Sequence, residues 1–480
     1  MSSMESLETI ANSGSRKLIE YYGKKLGRDE ENITTFFALL DTIEEIMETK
    51  VRPYIHEWEE KGVQLVDGKV ILPPKMESAL NELIKENELY SFFIPEKHGG
   101  FGYETLFSHG LSELMTRYDI PLQMLTTISL SVLEALVVYN RPEYEPYIQN
   151  FMEGKNTGYV AFTEAGAGSH LQNIKATSVL EGDEYVLNGT KIFISNGGYA
   201  NAGLFLARNM VDGKEAGTNV LYVEGFDGIT TLRLEDKSGL HANPTAQLLF
   251  EDVRVPKENI IGEVGDGYRK VLERLMGMRV GVVAQGLGAS ARALELAKSY
   301  AEERVQFGKP IISFPGVSRK IEHMETQLPR LRAYGYLASY TLDRYYYGWI
   351  PADISATGSA AEETAAKMFA SPILTGMAHY FASAAKLYVA EITNSLLYDA
   401  QQIFGGNGFV SEYEINKIAR DVRVLPVYEG TSEIHDWLIG RSQQAMQMLP
   451  KFERTSLSFN GKTMYEEILA TRFPGIFDKI

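Results

Sequence analysis

The spacing of apolar residues changes twice along the chain, and this change limits the folds that it can adopt. Apolar residues first recur at helical spacing, then come short runs rich in β-branched and aromatic residues, and the helical period later returns. This order is not the βαβ alternation of a doubly wound sheet, so it predicts an α+β protein. The predicted segments are an N-terminal extension (1–33), an N-terminal helical domain (34–156), a central antiparallel β domain (157–267), a C-terminal helical bundle (268–446) and a C-terminal tail (447–480).

Two dipeptides signal tight turns. Asp67-Gly68 lies within a small hairpin-like segment at 66–73, and Asn188-Gly189 lies between two β-type runs of the central domain. Both dipeptides suit the positive φ angles of a two-residue hairpin turn. The sequence therefore predicts a hairpin at each position.

The longest apolar run, at 121–139, is interrupted by Gln123, Glu134 and several hydroxyl residues. A membrane span should be cleaner, so this run predicts a buried helix and no membrane insertion. The N-terminus carries Glu5 and Glu8 and has no apolar stretch, which argues against a signal or transit peptide. We therefore expect a cytoplasmic protein.

Composition excludes several kinds of chemistry. The formal net charge of -16 repels polyphosphate backbones, so we expect no nucleic-acid partner. The absence of cysteine removes disulfides, thiolate metal sites and cysteine nucleophiles. The eight histidines include no pair spaced to put two ligands on one helix face, so we predict no metal site. Residues 286–291 match the letters of a dinucleotide fingerprint, but no strand precedes them, and small residues on a tightly packed helix are the better interpretation.

The first motif with chemical content is the glycine-rich segment at 163–169, followed by the segment at 191–196. Glycines permit close backbone approach to a ligand. The hydroxyls of Thr163, Ser169 and Ser195 can bond to a polar ring edge or to a phosphate. The alternative is an ordinary glycine-rich loop that joins helix to sheet. A second motif, 304–308, sets Arg304 beside a tight glycine turn, which suits pyrophosphate recognition, although the arginine also complements a helix dipole.

The third motif combines the segments at 402–409 and 428–434. Thr431 or Ser432 can cap the helix that starts there and expose amide donors to a ligand. Glu429 lies just before the cap, on a turn freed by the following glycine. A carboxylate held in an apolar site is a stronger base than a solvated one. The alternative is a surface glutamate that precedes a helix.

Together these motifs resemble the acyl-CoA dehydrogenase family, in order and spacing, from about residue 36 to residue 441. The resemblance implies the same helix–sheet–helix fold, an FAD cofactor and an acyl-CoA substrate converted to a trans-2-enoyl-CoA. It implies electron-transfer flavoprotein (ETF) as acceptor, a role in fatty acid β-oxidation, and a homodimer or homotetramer that shares FAD sites between subunits. Glu429 matches the family's catalytic base, whose backbone N–H would also support the developing enolate. The alternative base position precedes Arg279 and is occupied by Met278, which cannot take a proton.

The resemblance also implies ligands for the cofactor and the substrate. Phe193 and Ser195 would contact the isoalloxazine ring, and Arg304 would contact the pyrophosphate. The implied FAD ligands are Phe162, Thr163, Gly168, Ser169, Phe193, Ser195, Arg304, Gln306, Phe307, Gln402, Gly405, Gly406, Thr431 and Glu433. The implied substrate contacts are Ser169, Arg279, Tyr428 and Gly430. The departures from the family pattern are Ala165, His170, Pro315, Ser195 and Glu433.

Two other functions remain open at this point: an acyl-CoA oxidase that uses oxygen, and a flavin-binding homologue without turnover. The segment at 66–74 and the segment at 239–245 are similar to the subgroup that contains 3-methylthiopropanoyl-CoA dehydrogenases. An insertion is predicted at 345–363.

Overall fold

The computed structural model describes residues 14–345, 372–447, 458–459 and 462–463. The first part of the predicted N-terminal extension, almost all of the predicted insertion and most of the predicted tail lie outside the described residues. The chain forms two compact units. The helical unit comprises the described parts of Met1–Glu45, Tyr103–Tyr118 and Met276–Ile480, and the sheet unit comprises Ile46–Gly102 and Asp119–Leu275.

The order of elements confirms the predicted sequence of helices, sheet and helices. The α-helices are α1 (Ser15–Leu26), α2 (Glu30–Ile46), α3 (Ile55–Lys61), α4 (Met76–Asn81), α5 (Thr105–Thr116), α6 (Ile120–Tyr139), α7 (Glu145–Met152), α8 (Gly267–Glu303), α9 (Pro315–Tyr345), α10 (Pro372–Phe404), α11 (Glu414–Asp421) and α12 (Ser432–Gln447). The strands are β1 (Gln64–Val66), β2 (Lys69–Ile71), β3 (Gly158–Ala161), β4 (Thr177–Glu181), β5 (Glu184–Ser195), β6 (Ala202–Val211), β7 (Lys214–Glu224), β8 (Ile229–Leu234), β9 (Thr245–Pro256), β10 (Val305–Gln306), β11 (Lys309–Pro310), β12 (Ser458–Phe459) and β13 (Lys462–Thr463).

The centre of the sheet unit is a seven-stranded sheet with the order β3-β6-β4-β5-β9-β8, in which β7 also pairs with β6. The pairs β4–β5, β5–β9, β6–β7 and β8–β9 are antiparallel, as predicted. The pairs β3–β6 and β4–β6 are parallel, which the sequence did not indicate. Buried aromatic and aliphatic side chains from β5, β6 and β9, among them Leu187, Phe205 and Phe250, form the core of this sheet.

The hairpin predicted at Asn188-Gly189 is wrong, because this dipeptide lies inside strand β5. The hairpin turn comes earlier, where Glu181 on β4 pairs with Glu184 on β5. Gly189 has a φ of 150°, at a register shift in the pairing with β9, and a Cβ there would lie 2.5 Å from the Cβ of Ala176. Glycine is therefore needed for a bulge and a close approach within the strand. By contrast, the hairpin predicted at Asp67-Gly68 is confirmed between β1 and β2.

Helix α6 is the buried helix predicted from the long apolar run. Its N-cap is Asp119, whose side chain accepts a 2.8 Å hydrogen bond from the backbone N–H of Leu122. The helix is long and apolar enough to cross a bilayer by length and composition, and 83% of its most apolar window is buried inside the structure. Burial inside the protein matches the sequence interpretation of a core helix.

The residues at 286–291, which match the letters of a dinucleotide fingerprint, lie in the middle of helix α8, as predicted. A Cβ on Gly286 would lie 2.5 Å from a methyl group of Val389, and one on Gly288 would lie 2.0 Å from the hydroxyl of Thr116. These glycines let α8 approach α10 and α5 closely. In the same unit, α9 packs against α10, and α10 packs against α12.

Candidate active site

The turn that carries Glu429 has a backbone conformation that glutamate rarely adopts. Glu429 has a φ of 54° and Gly430 a φ of 102°. The turn follows a short 3-10 segment, Val422–Val424, and the backbone N–H of Tyr428 donates to the Val424 carbonyl over 3.2 Å. A non-glycine residue persists in this left-handed region only when its surroundings fix it. The structure therefore shows the glycine turn that the sequence suggested, and it adds that Glu429 itself is strained.

Helix α12 begins directly after this turn, at Ser432. The hydroxyl of Thr431 accepts a 3.4 Å hydrogen bond from the backbone N–H of Ile434, and the Thr431 carbonyl accepts one of 3.0 Å from the N–H of His435. Thr431 is therefore the N-cap residue, one of the predicted alternatives. The backbone N–H of Ser432 donates to the carbonyl of Pro426 over 3.0 Å, which ties the helix start to the beginning of the turn.

Two buried cations approach the turn from neighbouring helices. Arg279 on α8 is only 2% exposed, and its Nε donates to the backbone carbonyl of Glu429 over 3.3 Å. Lys386 on α10 is fully buried, and its Nζ donates to the backbone carbonyl of Gly430 over 2.7 Å. Loss of hydration raises the pKa of the Glu429 carboxyl, and the charges of Arg279 and Lys386 oppose that rise without cancelling it. Glu429 is thus a partly buried carboxyl with a pKa above its usual range.

Helix α10 supplies polar groups that are not among the predicted site residues. Loss of hydration lowers the pKa of Lys386 to about 7, although the charge of Glu429 opposes this. Loss of hydration and the charge of Arg279 lower the pKa of His379 to about 4, so the neutral ring can accept from Arg279 Nη1, which lies 3.4 Å from its Nδ1. Ser383 lies 3.5 Å from the same Nη1. These residues follow one helix face at intervals of four and three, and that polar spacing in an apolar helix was the available signal.

His435, on the first turn of α12, fills the space behind Gly430. The residue is fully buried, and a Cβ on Gly430 would lie 3.1 Å from its Nε2. Loss of hydration and the charges of Arg279 and Lys386 lower the pKa of His435, while the backbone carbonyls of Glu429 and Gly430 oppose this. A neutral imidazole therefore packs under the turn, a contact that no sequence pattern indicates.

Tyr428, a predicted substrate contact, has its hydroxyl directed into the helical unit. The hydroxyl donates to the side-chain oxygen of Gln285 on α8. Loss of hydration and the negative charges of Glu429 and Asp421 raise the pKa of Tyr428, so its hydroxyl stays protonated at neutral pH. This hydrogen bond holds the residue before Glu429 against α8.

In the sheet unit, a fully buried lysine fixes the loop that follows β3. Lys191 Nζ donates to the carbonyls of Phe162 over 3.1 Å and Leu206 over 2.7 Å, and to Oε1 of Glu164 over 2.8 Å. Loss of hydration lowers the pKa of Lys191 to about 8. Loss of hydration also raises the pKa of Glu164, but Lys191 and backbone N–H donors outweigh it and lower the pKa below its usual value. The predicted loop residues Phe162 and Thr163 therefore have a fixed backbone.

Phe193 presents its aromatic ring to solvent at the end of strand β5. It has a φ of 57°, lies at a register shift between β5 and β9, and is 59% exposed. The backbone N–H of Ile192 donates to the carbonyl of Thr163 over 3.0 Å, which joins the two predicted segments of this unit. Ser195 lies two residues further along the strand, while Gly168 and Ser169 are exposed on the loop. An exposed ring on strained backbone is unusual unless it contacts something.

The other predicted cofactor ligands of the helical unit are mostly exposed. Arg304 directly follows α8, and Phe307 lies at the tip of the β10–β11 hairpin with a φ of 51° and 94% exposure. The side-chain amide of Gln402 donates to the hydroxyl of Tyr398 over 2.9 Å. Near it, Phe409 is 87% exposed. The remaining predicted residues that lie on the surface are Gln306, Gly405, Gly406 and Glu433, whereas Thr431 is partly buried.

Family models match most of the sheet and the C-terminal helices. The middle-domain model of the acyl-CoA dehydrogenases matches residues 160–253, and the C-terminal-domain model matches residues 265–379 and 351–444. The chain belongs to the acyl-CoA dehydrogenase family, whose members are FAD-dependent oxidoreductases. The predicted family, fold class and enzyme class are thereby confirmed.

Named relatives agree with this assignment. An acyl-CoA dehydrogenase of Bacillus subtilis is 32% identical over 72% of this chain and 85% of its own length. A subunit of the caffeyl-CoA reductase–Etf complex of Acetobacterium woodii is 30% identical over 75% of this chain and 88% of its own length. The solved structure of butyryl-CoA dehydrogenase from Megasphaera elsdenii superposes with a TM-score of 0.70 at 28% identity, over 85% of this chain and 98% of that chain.

The residues of each unit fit FAD. In the sheet unit, the exposed Phe193 and the hydroxyl-bearing Ser195 are two residues apart on β5, and this pair of residue types suits the ring of a flavin. In the helical unit, Arg304 is exposed next to a glycine turn, and its guanidinium suits a pyrophosphate. A Cβ on Gly168 would meet nothing within 4 Å, so the loop leaves open space beside its backbone.

Proposed function

We propose that the protein removes the α-proton and the β-hydride of an acyl-CoA thioester and that Glu429 takes the proton. The observation that carries this proposal is the Glu429 turn: a partly buried carboxyl with a raised pKa, on strained backbone held by Arg279 and Lys386. A base with a pKa nearer neutrality removes a weakly acidic proton more effectively than an ordinary solvated carboxylate. FAD, when bound, supplies the acceptor for the β-hydride.

The turn also offers a donor for the thioester oxygen. Within the described part of the chain, the backbone N–H of Glu429 makes no hydrogen bond. Such a donor stabilises the negative charge that develops on the carbonyl oxygen when the α-proton leaves. The proton moves from the α-carbon to a carboxylate oxygen of Glu429, the hydride leaves the β-carbon, and a trans double bond forms between the two carbons. We propose Ser169, Arg279, Tyr428 and Gly430 as the residues that line the acyl-CoA.

We propose ETF as the electron acceptor, because a relative belongs to a reductase complex that contains Etf. The same relative is a reductase, and the same groups can run the reaction backwards, with Glu429 returning the proton. We also propose a homo-oligomer, because Phe307 and Phe409 are large aromatic side chains with 94% and 87% exposure. Light scattering of the FAD-loaded protein measures the subunit number, and a monomer would contradict this part.

The proposal is tested by anaerobic mixing of the purified yellow protein with a panel of saturated acyl-CoA thioesters of different chain lengths. We expect at least one of them to bleach the flavin absorbance and to yield a trans-2-enoyl-CoA. Failure of every thioester to bleach bound FAD would refute the proposal. Admission of air then separates the electron acceptors, since rapid reoxidation indicates an oxidase and slow reoxidation, with fast turnover on added ETF, indicates a dehydrogenase.

A further inference from the structure

We propose that Lys386 is a positioning residue for the base, which holds the Gly430 carbonyl and thereby aims the Glu429 carboxylate at the α-carbon. This inference rests on the proposed function and extends it to a residue outside the predicted site. Lys386 lies on α10, and its Nζ is 2.7 Å from the Gly430 carbonyl oxygen.

The environment of Lys386 gives it too few partners for an ordinary structural lysine. The side chain is fully buried, and its ammonium donates to a carbonyl oxygen. Among the residues that the structure describes, no carboxylate comes close enough to Lys386 to form an ion pair. A buried ammonium without a contacting carboxylate disfavours folding. A methionine would fill the same space without that penalty, so the charge is better explained by the base beside it.

The Glu429 turn needs support from behind. Both Glu429 and Gly430 have left-handed φ angles, and strained backbone persists only when several contacts fix it. Arg279 binds the carbonyl of Glu429, Lys386 binds the carbonyl of Gly430, and His435 fills the space under Gly430. Lys386 is the contact on the residue that frees the turn, so its loss allows the turn to rotate and the carboxylate to move.

The charge of Lys386 also acts on the base. The charged groups that influence Lys386 are Glu429, Arg279, Glu391 and Glu433, and those that influence Glu429 are Arg279 and Lys386. His379 and His435 face the same cations and are neutral near pH 7 because their pKa values are lowered. Removal of the Lys386 charge takes away one of the two influences that hold the pKa of Glu429 down. The pKa of Glu429 therefore rises further when Lys386 is replaced by a neutral residue.

The experiment measures anaerobic flavin bleaching in a single turnover, from about pH 6 to about pH 9, with ordinary and α-deuterated acyl-CoA, in wild type, Lys386→Met and Lys386→Arg. We expect Lys386→Met to retain FAD, to bleach about tenfold more slowly even at the pH of its maximal rate because the carboxylate is no longer held in place, and to show a higher midpoint of its pH profile. The α-deuterium effect shows that proton removal is the step observed. Lys386→Arg stays charged above pH 7, where Lys386 itself loses its proton, so the midpoint of its pH profile should lie at or below that of wild type. If Lys386→Met does not fold, Lys386→Gln takes its place.

The matched control is Lys320→Met, which removes a lysine that pairs with Asp399 on the same helix α10. It should change neither the midpoint nor the plateau. A Lys386→Met protein with wild-type midpoint and rate would overturn the inference, and so would equal midpoints in Lys386→Met and Lys386→Arg. If no acyl-CoA bleaches wild-type FAD, or if Glu429→Gln bleaches at the wild-type rate, the proposed function fails instead, so the two failures are distinguishable.

Discussion

Each unit contains a fully buried lysine that donates to backbone carbonyls near a non-glycine residue with a positive φ angle, but the two lysines have different partners. Lys191 in the sheet unit donates to two carbonyls and to the carboxylate of Glu164. Lys386 in the helical unit donates to the Gly430 carbonyl alone among its described neighbours. Phe193, near Lys191, and Glu429, near Lys386, have positive φ angles of 57° and 54°. The same device thus occurs once with a compensating charge and once without it.

The difference separates holding a loop from tuning a base. Lys191 and the backbone N–H groups of Lys175 and Ala176 together outweigh the loss of hydration at Glu164 and lower the pKa of that carboxyl, which makes Glu164 a weak base. Glu429 keeps a raised pKa, because the cations near it do not overcome the loss of hydration. A carboxyl in the second state changes protonation closer to neutral pH. We therefore expect catalysis to respond to Lys386 and Glu429, and stability to respond to Lys191 and Glu164.

The largest effect is expected for Glu429→Gln. The amide keeps the size of the side chain but cannot accept the α-proton, so the rate of anaerobic flavin bleaching should fall by about 100- to 10,000-fold while FAD stays bound. Glu322→Gln, which changes an exposed glutamate on α9, is the matched control and should bleach normally. A Glu429→Gln protein with the wild-type bleaching rate would remove Glu429 from the reaction.

The next effect is expected on stability, for Lys191→Met. The substitution leaves the buried Glu164 carboxylate without its cation, so the free energy of unfolding should fall by about 3–5 kcal/mol. Lys386→Met leaves no contacting carboxylate unpaired and should cost clearly less. Urea unfolding of both variants at neutral pH measures the difference. Equal losses would break the distinction between a clamp and a tuning residue.

Much of this comparison was predictable on the side of Glu429 but not on the side of the lysines. The sequence placed Glu429 on a glycine turn before a helix cap, because Gly430 and Thr431 are adjacent in the chain and their turn chemistry is local. The spacing of polar residues marks the helix face that carries Lys386, but it does not indicate that this face meets the Glu429 turn, and His435 lies at a helix position without any such signal. Their role depends on which helix faces meet, and a single sequence does not specify that.

The sheet shows the same limit. The alternating runs predicted the strands, yet Asn188-Gly189 was assigned to a hairpin when Gly189 is needed for a close approach to Ala176 within β5. The parallel pairing of β3 with β6 joins strands that are distant in the chain. Local turn signals do not distinguish a bulge from a hairpin, since both require positive φ angles.

A smaller effect is expected in the pH dependence of stability. The pKa of Lys386 is about 7 in the folded protein, against an ordinary 10.5 in the unfolded chain. Between these values the unfolded chain holds a proton that the folded protein has lost, so stability rises with pH, by about 1 kcal/mol per pH unit from this group. Urea unfolding of wild type minus that of Lys386→Met should show this rise and no trend below about pH 6. A difference that falls with pH would contradict the burial argument.

The smallest effects compare the two glycine-containing loops themselves. Gly430 has a φ of 102°, and an added Cβ would lie 3.1 Å from His435 Nε2, so Gly430→Ala should lower the free energy of unfolding by about 1–3 kcal/mol. An added Cβ on Gly168 would meet nothing within 4 Å, so Gly168→Ala should change that free energy by less than about 0.5 kcal/mol. Any weakening of FAD binding by Gly168→Ala, measured by flavin fluorescence titration, would then reflect contact with the cofactor rather than damage to the fold. If Gly168→Ala destabilised the protein as much as Gly430→Ala, the loop after β3 would be a structural element, and the contrast between an open cofactor loop and a strained catalytic turn would no longer hold.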